Sequence, residues 1–156
     1  MLPLYGKAII AFIAVLSATP VLSQAANFGT LTLSPGFPQR AGTVVGNTSG
    51  SYSLPSIANS DPKGNPCLGY GDSTPDHIMI LKQDFANLNV QVNSAGKDTS
   101  LVIRGPNKQT IRCGNDTGSR QDASVQDSNW QAGTYEIWVG SSNSGQSWNY
   151  TLTVRE

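Results

Sequence analysis

Along most of this chain, apolar residues recur at every second position, and no stretch beyond the first 26 residues holds a helical spacing through three turns. A side-chain period of two belongs to a strand with one face buried and the other wet. The clearest instance sets Leu88, Val90 and Val92 against Asn89 and Gln91. The same alternation places Leu31 with Leu33, Tyr52 with Leu54, Leu101 with Ile103, and Ile111 with Cys113. It continues through Ala123 and Val125, then Tyr135, Ile137 and Val139, and finally Tyr150, Leu152 and Val154. Clusters of Gly, Asn, Ser, Asp and Pro separate the runs, as turn chemistry requires. Residues 78–81 are apolar on both faces, which predicts a central strand covered on both sides, with the start of a helix as the alternative. The pattern predicts an all-β, two-layer antiparallel β-sandwich of eight or nine strands with jelly-roll or Greek-key connections, and a closed barrel is the alternative.

Composition narrows the field further. Seventeen of the first 25 residues are apolar, which leaves about 32% apolar content for the remainder and therefore a lean core. Ten Lys and Arg balance ten Asp and Glu. A neutral chain has no basic surplus for a nucleic-acid backbone and no charge run that would enforce disorder. Residues 1–25 read as a signal peptide: a short start with Lys7, an apolar run over residues 8–18, and small residues Ser23 and Ala25 before the expected cleavage point. Eleven apolar residues are too few to span a bilayer. The expectation is a secreted or periplasmic, monomeric protein of one domain, residues 26–156, free of the membrane after cleavage.

An oxidising compartment makes Cys67 and Cys113, the only cysteines, a disulfide. The pair would pin the loop over residues 57–76, and residues 114–122 form a second long loop.

Catalytic groups are scarce. Ser73 follows Gly71-Asp72, and His77 is the only imidazole. A serine hydrolase built on Ser73 and His77 is the alternative reading, and an inhibitor of a secreted protease, acting through one exposed loop, is another. No phosphate loop or dinucleotide fingerprint is present, so no cofactor is expected except calcium. Oxygen ligands for calcium are offered by Asp61, Asn65, Asp72 and Asp76 in the first loop, and by Asn115, Asp116 and Asp122, with Asp127, in the second. Of these, Asp116 and Asp122 are the candidate metal ligands. Parity places Trp138 and Glu136 on the polar face of their strand, where an exposed indole beside a carboxylate would serve as a ligand platform. Trp130 is expected to plug one end of the sandwich, and Trp148 to extend the core.

The stretch over residues 98–154 resembles the bacterial pre-peptidase C-terminal domain. The likeness is carried by Asp98-Thr99-Ser100-Leu101-Val102-Ile103, Gly105-Pro106-Asn107, Asp116, Asp122, Ala132-Gly133-Thr134-Tyr135, Trp138-Val139-Gly140 and Asn149-Tyr150-Thr151-Leu152-Thr153-Val154. Within it, Gly133 allows a sharp turn into its strand, and Tyr135 and Tyr150 bury their rings with hydroxyls at the rim. The resemblance implies a stand-alone exported form of a non-catalytic β-sandwich module that attaches to an extracellular polysaccharide or protein, with calcium bound in some members. The Cys67 and Cys113 pair is not a general feature of that family.

Overall fold

The computed structural model describes residues 25–156, so the expected signal peptide, apart from its last residue, lies outside the described residues. The strands are β1 Gly29–Leu33, β2 Thr43–Asn47, β3 Tyr52–Ser53, β4 Tyr70–Gly71, β5 His77–Leu81 and β6 Phe85–Asn93. They continue with β7 Thr99–Arg104, β8 Ile111–Gly114, β9 Ser124–Trp130, β10 Gly133–Ser141 and β11 Asn149–Arg155. Two 3-10 turns, Gln39–Gly42 and Leu54–Ser56, interrupt the series. Alternation does not reveal β2, whose Thr-Val-Val-Gly-Asn sequence has apolar neighbours on both faces, or the two-residue β4. These two strands account for the difference from the expected eight or nine.

The strands form two separate sheets and not a closed barrel. The large sheet runs β1-β5-β10-β4-β3, with β7 on the other edge of β10 and β8 beyond it; the small sheet runs β2-β11-β6-β9. One pairing departs from the expected antiparallel order, because β1 and β5 are parallel, from Gly29 opposite His77 to Leu33 opposite Leu81. Residues 34–76 connect them by way of β2 in the other sheet, long enough for the crossover that parallel neighbours need.

Between the sheets the residues picked out by parity meet. Leu31, Leu33, Met79, Leu81, Leu101, Ile103, Tyr135, Ile137 and Val139 face Phe85, Leu88, Val90, Val92, Val125, Tyr150, Leu152 and Val154. Burying each such side chain contributes about 1.5–3 kcal/mol, which offsets the chain entropy of a modest core. Gly133, with φ of 143°, starts β10 where Pro106 leaves no room for a Cβ. Trp130 is fully buried in this core; its Nε1 donates to the Asp127 carbonyl at 3.0 Å, and the Arg112 guanidinium lies 4.0 Å from the ring centroid. Trp148 does not extend the core. It precedes β11 and sits half-buried beneath the Lys97 ammonium, 4.7 Å from its ring.

The large sheet is also covered on its outer face, and this corrects the expectation for Trp138. Trp138, Val102 and Cys113 lie side by side across β10, β7 and β8. The Cys67–Cys113 disulfide, with Cα atoms 5.1 Å apart, ties the first long loop onto that row. Leu54, Ile57, Ala58 and Cys67 then pack on Trp138, Val102 and Ile111 as a second hydrophobic cluster, leaving the indole 2% exposed. Parity puts Trp138 on the correct face, but the cross-link turns that face into interior.

Opening a loop of 46 residues' separation releases unfolded-state entropy worth about 4 kcal/mol. Cys67→Ser and Cys113→Ser are therefore expected to lower stability by that order in urea unfolding and to red-shift native tryptophan emission as Trp138 meets water. Unchanged emission with unchanged stability would show that the segment packs without the cross-link.

Candidate functional site

The residues singled out from the sequence are placed as follows. Glu136 is 6% exposed and pairs through Oε2 with Arg104 Nε at 2.6 Å, and the Arg104 guanidinium lies 5.0 Å from the Trp138 ring centroid. Both expected platform residues are thus occupied by their own chain. Asp116 is exposed. Asp122 is buried, its Oδ1 accepting from the Ser94 amide at 2.7 Å and the Ser94 hydroxyl at 2.5 Å. Among the described residues no group of three or more His, Cys, Asp or Glu gathers as a metal cluster.

Several loop carboxylates instead organise their own backbone. Asp61 accepts from the Lys63 and Asn65 amides, each at 2.9 Å, and from Asn65 Nδ2 at 2.8 Å. Burial alone would push its carboxyl up, but hydrogen bonds from Asn65, Cys113 and Lys63 together hold it below the usual carboxylate range. Asp72 accepts from the Thr74 amide at 3.0 Å. These are the turn-forming bonds that short acidic side chains favour.

Ser73 and His77 are not assembled as a catalytic pair. Ser73 is exposed, with its hydroxyl on Asp72 at 3.4 Å, whereas His77 is fully buried, with Nε2 bonded to the Tyr150 hydroxyl at 2.9 Å. His77 lies on a central strand: β5 runs between β1 and β10, and His77 shares the inward parity of Met79 and Leu81. The Tyr150 hydroxyl is therefore internal, while that of Tyr135 donates to the Gln131 carbonyl at 2.8 Å. Burial pushes the His77 imidazole down to about 4 and the Asp76 carboxyl up to about 7. At Asp76 the bond from the Val139 amide to Oδ2, 2.7 Å, only partly opposes that rise.

The two long loops meet at one cleft of about 430 Å³, where Leu68, Gly69 and Tyr70 of the first approach Asn115 of the second. Leu54, Ile57, Ala58 and Cys67 of the segment pack on the sheet, while residues 62–66 are exposed. Further concave surface lies on the outer face of the small sheet.

Strand pairing fixes that face row by row. Asn149 lies opposite Asn47, Thr151 lies between Val45 and Asn93, Thr153 lies between Thr43 and Gln91, and Arg155 lies opposite Asn89. Because Tyr150, Leu152 and Val154 fill the inward positions, everything in these rows points outward. Three depressions join there, all sharing Asn93. The first, about 590 Å³, is bordered by Phe28, Val45, Asn47, Asn149 and Thr151. The second, about 280 Å³, is bordered by Gln91, Thr153, Arg120 and Arg155, and the third, about 430 Å³, by Ala95, Gly96, Ser119 and Gln121. Phe28 is 42% and Val45 67% exposed at one end, and the two arginines stand at the other. Gly46 is required at the first end, since a Cβ there would collide with the Tyr150 hydroxyl.

Several polar groups along the groove are already oriented. Asn47 Nδ2 donates to Asn149 Oδ1 at 3.1 Å, and Asn47 Oδ1 accepts from the Ser147 hydroxyl at 2.8 Å. Asn93 Oδ1 accepts from the Ala95 amide at 3.2 Å, and Asn93 borders all three depressions. Sequence parity marks Asn89 and Gln91 as outward, but the contributions of β2, Phe28 and Arg120 depend on strand order and loop path.

No family model matches the chain, and no curated protein matches it significantly. Among solved structures, the pre-peptidase C-terminal domain of a collagenase from Bacillus anthracis is similar. It has 14% sequence identity and a TM-score of 0.46, covering 81% of this chain and 94% of that one. A likeness of this degree assigns no function.

The buried ionisable groups yield opposite pH dependences. Between 3.8 and about 7, Asp76 is ionised when unfolded and protonated when folded, so stability falls as pH rises, by about 1.4 kcal/mol per unit. Between 6.5 and about 4, His77 is protonated when unfolded and neutral when folded, so stability falls as pH drops. From about pH 4 to 6.5 these two slopes cancel. Asp76→Asn is expected to leave stability rising with pH across that window in urea titrations, and His77→Gln to leave it falling. Parallel profiles for both variants and the parent would contradict the assignment.

Proposed function

We propose that this chain is an exported, monomeric, non-catalytic binding module of the pre-peptidase C-terminal type, and that it holds an extended polysaccharide along the outer groove of the small sheet. The observation that carries this reading is the run of three depressions sharing Asn93, lined mainly by amides and hydroxyls, with an exposed ring and an exposed aliphatic side chain at one end and two arginines at the other. Sugars present hydroxyl groups on an apolar ring, so they suit amide donors and acceptors beside a Phe or Val surface. A groove, unlike a closed pocket, lets a polymer chain pass through. The disulfide, together with the compactness it gives the large sheet, supports an extracellular or periplasmic setting.

Rigidity favours this use. The groove residues sit on paired strands, so few side chains must be ordered on binding, which limits the entropic cost of a polar interface. No acid–base or nucleophilic step is required of any residue in it.

Affinity electrophoresis of the exported protein through gels containing soluble β-glucan, xylan, galactomannan, alginate or polygalacturonate tests the proposal. Retardation by at least one polymer is expected, weakened about tenfold by Val45→Asp or Phe28→Ala and unaffected by Tyr70→Ala in the loop cleft. Retardation that survives both groove variants, or is lost with Tyr70→Ala, would move the site elsewhere.

A further inference from the structure

We infer that Arg120 and Arg155 make one end of the groove an acid-recognising subsite, so that its polysaccharide carries carboxylate groups, as uronic acid units do; this rests on the polysaccharide reading above. The two arginines come from distant parts of the chain. Arg155 is the last residue of β11 and points outward beside Asn89 of β6. Arg120 is held by a tight turn in the second long loop, where the Arg120 amide donates to the Thr117 carbonyl at 3.0 Å and the Thr117 amide to the Arg120 carbonyl at 2.9 Å. Both line the depression of about 280 Å³ together with Gln91, Asn93 and Thr153.

Their charges are uncommitted. The ion pairs among the described residues join Lys63 and Arg112 to Asp127, and Arg104 to Glu136, and neither groove arginine takes part. The one carboxylate in the same depression, Asp122, is buried and directs Oδ1 to the Ser94 amide and hydroxyl. Two exposed guanidiniums thus outnumber a single carboxylate that is already hydrogen-bonded. A guanidinium presents parallel N–H donors that match the two oxygens of a carboxylate. Gln91, Asn93 and Thr153 beside it supply neutral partners for ring hydroxyls. Because Asn93 also borders the larger depression, a sugar unit anchored at the arginines continues toward Val45 and Phe28.

The test measures binding of the exported protein to alginate and polygalacturonate, with fully methyl-esterified polygalacturonate and dextran sulfate as comparison polymers. Binding to the carboxylated polymers is expected to fall as salt rises, and to weaken about tenfold in Arg120→Gln and in Arg155→Gln. Arg40→Gln, which removes an exposed arginine outside the groove, should leave it unchanged. Wild-type affinity for carboxylated polymers in both groove variants would overturn the subsite, while retained binding of neutral polymers would leave the groove intact. Equal affinity for dextran sulfate, lost in the same variants, would overturn the carboxylate assignment in favour of a general polyanion site. Failure of the parent protein to bind any of these polymers or the neutral ones would overturn both readings.

Discussion

The cross-link between Cys67 and Cys113 decides which surfaces of this molecule remain open. A strand with the pattern of β10 has one apolar and one mixed face, and in an ordinary sandwich the mixed face meets water. Here the disulfide draws residues 54–67 across it, and Trp138 becomes interior along with Val102 and Leu54. The ion pair of Arg104 with Glu136 borders this covered layer, at the edge of the indole it flanks. Among the described residues the small sheet has no such cover. Its outer rows of Asn, Thr and Gln keep their contact with solvent, and the depressions around Asn93 follow from that asymmetry.

Much of the fold is legible in the sequence because parity is a local property. β11 and residues 88–92 of β6 alternate strictly, and their inward residues are among those that meet in the core. The disulfide follows from residue count and compartment. What parity cannot supply is what lies above a face. Trp138 and Gln91 both read as outward, yet one is covered by a segment some 70 residues earlier in the chain and the other borders the groove. Local pattern distinguishes the two faces of a strand but not the fate of each, which depends on tertiary contacts.

The same limit explains the parts of the candidate site that were missed. β2 carries Val44 and Val45 in succession, so alternation is absent, although Val45 borders the groove. Arg120 lies in a loop whose path is set by its turn and by Asp122 docking on Ser94, neither visible as a motif. His77 illustrates the converse. A lone imidazole near a serine suggests chemistry, but its inward parity on a central strand buries it against Tyr150, where it is held neutral. Asp76 beside it is also held back from ionisation by burial. Asp76 and His77 are therefore both uncharged at mildly acidic pH, consistent with a role in packing.

The central claim is that ligand contact falls on the outer face of the small sheet and not on the covered large sheet. Backbone chemical-shift perturbation during titration of the labelled protein with alginate oligosaccharides measures this directly. The account expects the largest shifts at Val45, Asn93, Thr151, Thr153 and Arg155, with Glu136, Trp138 and Tyr70 unmoved. Shifts concentrated at those last three residues, with the rows around Asn93 silent, would contradict it.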